Sequence, residues 1–572
     1  MKHVLKYLWP FRFRMLLGFL IKFIGTIAEL FIPFIMTYIL DNVIVTGNAK
    51  LIIGFGGLML LCAVIASIGN ITANRMAARV TRNFSFELRR ELFEKTMLLS
   101  AKSTDQFTIP SLESRITSDT YNVQNFIGMI QRMGVRAPIL LFGGTLITVV
   151  MDKALALVML ATLPFIFIVV YSISRKGVPL YSGVQKSVDN MIRVVREDIQ
   201  GIRVIKALSK NDYENRRYDK VNRALCREET HAAAIMSIVN PIMTLLMNLG
   251  IAGVVAVAAY RVSRGTSTPA TVIAFMQYFT LISMAMMSLS RMFVMYTKCA
   301  ASANRITEVI THPNDLTTVP FEGKKIDDNH ITFDKVSFSY LGKTDNLSDI
   351  SVSLKRGQHL GIIGATGSGK STLIKLLLRF YDPQSGTIYI NGQDIRSYEN
   401  DVLRKMFGTV LQSDFLYADT IEENIRFGRD ISIEDIKKAT AIAQADSFIE
   451  SFPDGYSHQL SSKGTNLSGG QRQRVLIARA LAAKPEILVL DDSSSALDYK
   501  TDAALREALN QNLADSTVIT VAQRVSSVKN CDLILVLDEG KIIGRGTHEH
   551  LLETCPEYRE ISDSQMGGAF VE

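Results

Sequence analysis

The sequence has little cysteine, little histidine and one tryptophan, and it lacks the spacings in which cysteine and histidine bind metals. Its 572 residues include 5 cysteines and 8 histidines, with neither a Cys-x-x-Cys pair nor a His-Glu-x-x-His motif. A transition-metal centre and a disulfide framework are therefore not predicted. The chain also has no long basic block, and a net charge of +8 is small for this length. Nucleic-acid binding is not indicated.

Long apolar runs are frequent before about residue 300 and scarce after it, and the mean hydropathy is positive at +0.18. A helix needs about 20 apolar residues to cross a membrane. Six spans are predicted, at about residues 15–40, 51–73, 126–150, 154–174, 236–260 and 270–296. The pattern indicates a multi-pass membrane half, residues 1–310, followed by a soluble half.

Charge in the connectors predicts the orientation of the spans. The connectors after the second and fourth spans are long and basic, whereas the other loops are short. Their basic residues include Arg75, Arg79, Arg82, Arg89, Arg90, Lys95, Arg175, Lys176, Arg193, Arg196 and Arg203. The positive-inside bias places both long connectors and both termini in the cytoplasm. A bacterial plasma (inner) membrane is expected. The first apolar run is too long for a signal peptide and is interpreted as an uncleaved span.

Both long connectors have helical periodicity, as in "FSFELRRELFEKTMLL" and "VDNMIRVVREDIQGIRVIKAL". The spans are therefore expected to continue as helices beyond the membrane. Short turning segments are predicted near Thr104–Ser111 and Lys210–Tyr218. Such tips could contact a soluble domain.

Glu29 is an acidic residue near the middle of the first predicted span. A carboxylate in hydrocarbon costs several kcal/mol unless it faces water or a partner. Two interpretations stay open. Glu29 could line a substrate cavity, or it could pair inside the bundle with Arg132 or Arg136.

The chain changes character after about residue 310. Residues 311–330 are polar, contain two prolines and have no periodicity, which is typical of a linker. Residues 331–572 alternate strand-like and helical patterns and predict an α/β domain.

The segment "GATGSGKS" fits the phosphate-loop pattern GxxxxGK[ST], and it lies between an apolar strand pattern and a helical one. Backbone amides of such a loop wrap phosphates, the lysine reaches the β- and γ-phosphates, and the serine hydroxyl binds Mg²⁺. The lysine here is Lys370 and the serine is Ser371. The predicted nucleotide-binding residues are Gly364, Ala365, Thr366, Gly367, Ser368, Gly369, Lys370, Ser371 and Thr372.

Two further motifs support a nucleotide site. The apolar strand "ILVLD" ends at Asp491, which is placed to hold Mg²⁺ through water. The segment "NLSGGQRQR" opens a helix whose free amides suit an anion. Since one chain would then hold two phosphate-binding helix starts, this second one is expected to close over another subunit's phosphate loop. Its residues are Leu467, Ser468, Gly469, Gly470 and Gln471.

Together these motifs and the six upstream spans resemble the ATP-binding cassette (ABC) exporters, specifically their half-transporters. The resemblance covers nearly the whole chain. It implies a six-helix transmembrane domain of the type I/type IV exporter class, all-α, fused to an α/β P-loop nucleotide-binding domain. It also implies a dimer that uses ATP and Mg²⁺, and coupling helices at the two connector tips.

The resemblance assigns three more residues. Tyr340 matches the aromatic residue that stacks on adenine, and Gln412 matches the glutamine that senses Mg²⁺ and the γ-phosphate. Asp498 matches the D-loop residue that crosses the dimer interface. Considered alone, Tyr340 could be an ordinary strand aromatic and Gln412 a surface loop residue.

The sequence departs from the family pattern where the chemistry occurs. Asp492 takes the place of the catalytic glutamate, and Gln523 takes the place of the switch histidine. A third departure puts Ser461 and Ser462 where a Gly-Glu pair usually precedes the signature. The signature itself is intact.

This asymmetry predicts the slow, degenerate-site subunit of a heterodimer whose partner carries Glu and His at the matching positions. The expected function is export of small amphipathic molecules, such as cationic drugs or lipids, by alternating access. An ATP-binding membrane sensor or regulator, a homodimeric low-rate flippase and an ATP-gated channel stay open as alternatives.

Overall fold

The computed structural model describes residues 2–316, 318–320, 328–340, 342, 344–493 and 495–566. Parts of the predicted linker, of the "DDSSSALD" turn and of the C-terminal end therefore lie outside the described residues. The chain divides into two compact units. The first comprises Met1–Leu98 and Phe107–Pro313, and the second comprises Leu99–Gln106 and Asn314–Glu572.

Residues 2–310 are mainly helical, with short 3₁₀ and π segments between some helices. The helices are α1 (Lys2–Leu5), α2 (Arg12–Tyr38), α3 (Ala49–Met97), α4 (Ala101–Phe107), α5 (Ile109–Ser114), α6 (Thr120–Met133), α7 (Arg136–Pro138), α8 (Gly144–Met151), α9 (Lys153–Gln200), α10 (Ile202–Ala207), α11 (Asn211–Ser237), α12 (Val239–Ser263) and α13 (Pro269–Ile310).

Within the described residues, five helical stretches are long and apolar enough to cross a membrane: His3–Thr46, Ala49–Met97, Ile109–Met151, Asn211–Ser263 and Pro269–Ile310. The fourth predicted span corresponds to a shorter apolar stretch, Lys153–Val169, at the start of α9. The predicted fold class, a helical membrane domain fused to an α/β nucleotide-binding domain, is confirmed.

Three helices are much longer than a bilayer requires. Helix α3 has 49 residues, α9 has 48 and α13 has 42. At ~1.5 Å per residue α3 is about 70 Å long, whereas the hydrocarbon layer is about 30 Å thick. These lengths agree with the predicted continuation of the spans as helices beyond the membrane.

The second predicted connector tip is wrong. Residues 210–218 were expected to turn, but α11 already begins at Asn211. The turn comes earlier: α9 ends at Gln200, Gly201 and the short helix α10 follow, and Ser209 has a φ of +50°. Gly201 caps the C-terminus of α9, and it is easily overlooked because it lies inside an otherwise continuous helical pattern. The first tip contains α4, which begins at Ala101, and Thr108 follows with a φ of +64°.

The second unit contains two sheets. Its strands are β1 (Ile331–Phe338), β2 (Leu347–Leu354), β3 (His359–Gly364), β4 (Ser385–Ile390), β5 (Gln393–Asp394), β6 (Phe407–Val410), β7 (Ile487–Asp491), β8 (Thr517–Val521), β9 (Leu533–Asp538) and β10 (Lys541–Gly546). One sheet has the order β2-β1-β4-β5 and is antiparallel. The other has the order β10-β9-β3-β8-β7-β6 and is parallel except for β10.

The parallel sheet determines where the site lies. The four-residue apolar run of β7 is buried on both faces, as a central parallel strand requires. Strands β3, β7 and β8 are neighbours in this sheet, and their carboxyl ends carry Gly364, Asp491 and Val521. In open parallel sheets ligands bind at this edge.

The remaining helices of the second unit complete the domain. They are α14 (Lys370–Leu377), α15 (Asn400–Lys405), α16 (Ile421–Arg426), α17 (Ile433–Ile442), α18 (Asp446–Glu450), α19 (Gly469–Ala482), α20 (Tyr499–Asn512), α21 (Val525–Val528), α22 (His548–Thr554) and α23 (Pro556–Met566).

Candidate functional site

The phosphate loop joins β3 to α14, and glycine is required at both of its ends. Gly364 has a φ of +155°, and a Cβ there would lie 2.0 Å from the carbonyl oxygen of Leu537. Gly369, immediately before α14, has a φ of +101°, which L side chains rarely adopt. The loop therefore approaches its neighbours more closely than any residue with a side chain permits.

Lys370 is the first residue of α14 and is 8% exposed. Its Nζ donates hydrogen bonds to the carbonyl oxygens of Gly364 at 2.9 Å and Ala365 at 2.7 Å. Burial lowers the pKa of Lys370, while Asp491 and Asp492 act in the opposite direction. The ammonium group is thus held between the loop and two carboxylates.

A cavity of about 250 Å³ brings the predicted nucleotide residues together. It contains the phosphate loop, both aspartates, Gln412 and Gln523, all of which sequence motifs had placed in separate segments. The lining residues are Asn346, Thr366, Gly367, Gly369, Lys370, Ser371, Thr372, Gln412, Asp491, Asp492, Val521, Ala522 and Gln523. No signature residue is among them within the described part of the chain.

The two aspartates differ in burial. Asp491 is 5% exposed, and burial raises its pKa while a hydrogen bond from Ser371 opposes the shift. Burial also raises the pKa of Asp492, against Arg524 and Lys370. The backbone of Asp492 has a φ of +52°, and its N–H donates to the carbonyl oxygen of Val521 at 2.9 Å.

The donor set of this cavity fits Mg²⁺. Ser371 offers a hydroxyl, Gln412 an amide oxygen and Asp491 a carboxylate, and Mg²⁺ prefers oxygen ligands supplemented by water and phosphate. All three residues line the same cavity.

Gln523 is exposed and its backbone is held by a residue that sequence reasoning missed. Gln565 in α23 donates from Nε2 to the carbonyl oxygen of Gln523 at 2.8 Å, and its Oε1 accepts from the N–H of Val525 at 2.8 Å. One side chain thus clamps both sides of Arg524. No sequence motif indicates this clamp, because Gln565 lies about 40 residues further along the chain.

Tyr340 lies beside the phosphate loop. Its hydroxyl is 3.4 Å from Thr372 Oγ1, and the residue is 39% exposed, so its ring is accessible. Asn346, a lining residue that sequence reasoning also missed, accepts a hydrogen bond from the N–H of Tyr340 at 3.0 Å. This hydrogen bond holds the backbone of Tyr340 in place. No motif in the loop sequence predicts the contact.

A second tyrosine connects Tyr340 to α4. The rings of Tyr340 and Tyr381 pack edge to face with centroids 5.2 Å apart. The hydroxyl of Tyr381 donates to Asp105 at 2.5 Å. Ser100 donates to Asp315 at 2.8 Å, and Ser103 also bonds to Asp315. These residues all belong to the second unit.

The signature forms the start of α19. Ser468 caps this helix by accepting from the N–H of Gln471 at 3.2 Å, while Gln471 Oε1 accepts from the N–H of Ser468 at 2.9 Å. This is a capping box. Ser468 and Gly469 are exposed, Gly470 is half-buried and Leu467 is buried. The signature is therefore accessible from outside the unit.

Asp498 and Ser461 each form hydrogen bonds with residues three to five positions further along the chain. Asp498 caps α20, with Oδ1 accepting from the N–H of Thr501 at 3.0 Å, and this contact lowers the pKa of Asp498. Ser461 bonds to Asn466 through both its N–H and its hydroxyl, at 3.0 Å each. Ser461 thus stabilises the turn before the signature and offers no carboxylate, and Ser462 is exposed.

Glu29, in the first unit, has an ion-pair partner and also lines a cavity. It forms an ion pair with Arg136, whose Nη2 lies 2.7 Å from Glu29 Oε1 and whose Nε lies 3.2 Å from Oε2. It also lines a cavity between α2 and α13.

Comparison with protein families gives two matches that together span most of the chain. Residues 15–286 match the family described as the ABC transporter transmembrane region. Residues 347–495 match the family described as ABC transporter.

Proteins of similar sequence or structure match this chain over almost its whole length. The chain is 34% identical over 571 residues to YfiB of Bacillus subtilis, an uncharacterized ABC transporter ATP-binding protein, covering 99% of each. It is 32% identical to the uncharacterized ABC transporter ATP-binding protein Rv1273c of Mycobacterium tuberculosis, covering 98% of this chain and 97% of the relative. A solved bacterial Atm1-family ABC exporter with ATP bound is similar in structure, with a TM-score of 0.83, 25% identity and coverage of 98% and 99%.

Proposed function

Because this chain belongs to the ABC transporter family and has the fused membrane and ATP-binding regions of an exporter, we propose that it is the degenerate-site half of a heterodimer. ABC exporters act as dimers in the membrane and hydrolyse ATP to drive export. In the proposed pair, this chain holds ATP at its own phosphate loop. Its signature also forms part of the competent site, which is built on the partner's phosphate loop.

One observation carries the proposal: the cavity at the phosphate loop contains Asp492 and Gln523 where the family uses Glu and His. Aspartate is one methylene shorter than glutamate, so its carboxylate is withdrawn by about 1.5 Å. A displacement of ~1 Å in a catalytic group can cost ~100-fold in rate. Glutamine can donate a hydrogen bond to a γ-phosphate, but it cannot acquire charge as histidine does.

ATP binding at this site is supported by the residues that still match the family pattern. Lys370, Ser371 and Asp491 all line the cavity. The half-exposed ring of Tyr340 lies beside Thr372, another lining residue. Ser371, Gln412 and Asp491 would hold Mg²⁺. Mg²⁺ bound there would help to neutralise the charge on the phosphates.

The signature supports the other half of the proposal. Ser468 and Gly469 are exposed at the start of a 14-residue helix, where free amides and the positive end of the helix dipole suit a phosphate. We infer that they close over the partner's phosphate loop, and that the partner carries the catalytic Glu and the switch His. The second unit, both termini and the short helices α4 and α10 are proposed to lie in the cytoplasm, with α4 and α10 acting as coupling helices.

The proposal predicts unequal effects of two substitutions in the purified two-subunit complex. Asp492→Asn should change steady-state ATP turnover by less than about twofold, because the site it affects is already slow. Ser468→Ala should lower turnover by about 100-fold or more, since loss of one transition-state donor costs 10²–10³.

Ser432→Ala is the matched control for loss of a helix cap. Ser432 caps α17 as Ser468 caps α19, with its hydroxyl accepting from the N–H of Asp435 at 3.1 Å. This variant should retain turnover. If Asp492→Asn abolished turnover while Ser468→Ala was tolerated, the assignment of slow and competent sites would be reversed.

A further inference from the structure

A cavity in the first unit lies between α9 and α11. Its volume is about 590 Å³, and it is lined by Tyr171, Ser172, Arg175, Pro179 and Leu180 of α9 and by Ile235 of α11. These residues have no part in the nucleotide site or in the signature. The cavity is therefore a candidate for a further site.

The cavity lies at the membrane boundary of both helices. On α9 the apolar stretch Lys153–Val169 ends two residues before Tyr171, and the fourth predicted span, 154–174, ends directly before Arg175. On the returning side the fifth predicted span, 236–260, begins directly after Ile235. The basic connector lies on this side of both spans, which is the side assigned to the cytoplasm. The molecules expected at this depth are the headgroups of lipids in the cytoplasmic leaflet.

Arg175 supplies the positive charge of the cavity, and its side chain is exposed. Among the residues that the structure describes, Arg175 forms no ion pair. By contrast, Arg193 and Arg217, further from the membrane on α9 and α11, both pair with Glu197. The planar guanidinium of arginine matches the geometry of a phosphate. Arg175 is therefore available to a phosphate group.

Pro179 adds an acceptor next to this donor. A proline inside a helix has no N–H for the carbonyl oxygen four residues earlier, and α9 continues through Pro179. The carbonyl oxygen of Arg175 thus lacks its usual helical donor. Tyr171 and Ser172 contribute hydroxyl groups that both donate and accept. The cavity offers a guanidinium for a phosphate and oxygen acceptors for hydroxyl groups.

The apolar part of the lining strengthens the charge. Pro179, Leu180 and Ile235 keep water from one side of the cavity, and Coulomb energies grow severalfold where the surroundings are less polar than water. One turn nearer the middle of the span, the ring of Phe167 stacks with that of Tyr171, with centroids 6.2 Å apart. Tyrosine at a membrane boundary lies at the level of the headgroups.

We propose that this cavity binds an anionic phospholipid of the cytoplasmic leaflet. The phosphate lies at the Arg175 guanidinium, the hydroxyl groups of a glycerol headgroup lie near the Arg175 carbonyl oxygen, and an acyl chain follows Tyr171 and Phe167. The occupant is a lipid because the cavity lies at headgroup depth on two helices and its charge is complementary to an anionic headgroup. The site goes beyond the proposed export function and does not depend on which subunit hydrolyses ATP.

The test uses the full-length complex, purified in mild detergent, and three lipids with identical acyl chains. Phosphatidylglycerol has a negative charge and headgroup hydroxyls, phosphatidylmethanol has the charge alone, and phosphatidylcholine has no net charge. Native mass spectrometry measures the affinity of the first lipid bound. Phosphatidylglycerol should bind about tenfold more tightly than phosphatidylcholine, which corresponds to ~1.4 kcal/mol, and phosphatidylmethanol should be intermediate.

Three variants separate the cavity from general attraction to a basic protein. Arg175→Gln should reduce the affinity for phosphatidylglycerol to about that for phosphatidylcholine, whereas Arg175→Lys, which keeps the charge, should retain part of the preference. Arg196→Gln is the matched control, since it removes an exposed arginine of the same helix about 30 Å further along α9. It should leave all three affinities unchanged. Equal affinity for the three lipids, or an unchanged preference in Arg175→Gln, would overturn the proposal.

Two further outcomes would assign the cavity to a different occupant. Displacement of phosphatidylglycerol by an equal concentration of sn-glycerol 3-phosphate would indicate a site for a soluble phosphate compound and overturn the lipid site. Separation of the subunits in Arg175→Gln, with the lipid preference retained, would identify the cavity as a subunit contact and also overturn it. ATP turnover of the complex is measured separately, so that loss of the export function and loss of the lipid site are distinguished.

Discussion

Tyr381 donates a hydrogen bond of 2.5 Å to Asp105, and through its ring it also contacts Tyr340, which lies at the nucleotide cavity. Asp105 lies in α4, the short helix that follows α3 in the chain. One side chain thus links the residue proposed to stack on adenine with a proposed coupling helix. Since this chain lacks the usual Gly-Glu pair before the signature, we infer that the Tyr381 link carries a larger share of the coupling.

Replacing Tyr381 with Phe should uncouple ATP binding from the membrane helices. The ring contact with Tyr340 is retained, so nucleotide affinity should change by less than about twofold. A hydrogen bond to a charged group contributes ~1.5–3 kcal/mol, so the substrate-stimulated part of ATP turnover should fall severalfold. Tyr398→Phe is the control, because it removes a hydroxyl that donates to the carbonyl oxygen of Ile390 at 3.0 Å. A double variant with Asp105→Asn should be no worse than Tyr381→Phe alone.

Restoring the two family residues should activate the slow site. In a complex whose partner has lost its own catalytic glutamate, we expect this chain with Asp492→Glu and Gln523→His to raise residual ATP turnover by up to ~100-fold. Asp492→Glu alone should give part of the gain, because the longer side chain moves the carboxylate to the position that the family's glutamate occupies. Phosphate release in single-turnover experiments measures the effect. No gain in the double variant would mean that other residues keep the site slow.

Gln565→Ala should loosen the switch segment. Its side chain holds the carbonyl oxygen of Gln523 and the N–H of Val525, and loss of both contacts leaves the segment free to move. We expect the lifetime of ATP trapped at this chain's site to shorten severalfold, measured by release of labelled nucleotide. Gln511→Ala, which removes a side chain bonded to Glu507 on the surface of α20, should leave the lifetime unaltered.

Acidification should weaken Mg²⁺-dependent ATP binding to this chain. Burial raises the pKa of Asp491, so a proton competes with the cation at a higher pH than for a free aspartate. The charged form binds the metal, and therefore affinity should fall as the pH is lowered from about 7.5 to about 5. Titration with Mg²⁺ at each pH measures this. The isosteric variant Asp491→Asn should bind Mg²⁺ weakly and with a smaller pH dependence, since only Asp492 and the ATP phosphates still titrate there. An equally steep decline in both proteins would contradict the role of Asp491.

The sequence was sufficient for the features that depend on local pattern. Apolar length predicts the spans, and glycine spacing with a following helix predicts the phosphate loop at Gly364 and Lys370. The burial of β7 follows from its four apolar residues. Each of these signals lies within about 20 consecutive residues.

Features that depend on contacts between distant residues could not be predicted in the same way. Gln565 reaches Gln523, and Tyr381 reaches Asp105, across long stretches of chain with no motif at either end. The second connector tip was misplaced because one residue, Gly201, ends the helix inside a continuous periodic pattern.

The central claim is that this chain is the slow half of an asymmetric pair, and one measurement tests it most directly. The chain, tagged at its C-terminus, is purified from its native membrane in mild detergent, and mass spectrometry identifies what co-purifies in equal amount. The account predicts a second ABC half-transporter with Glu and His where this chain has Asp492 and Gln523. Recovery of this chain alone, as a dimer that hydrolyses ATP at ordinary exporter rates, would contradict it.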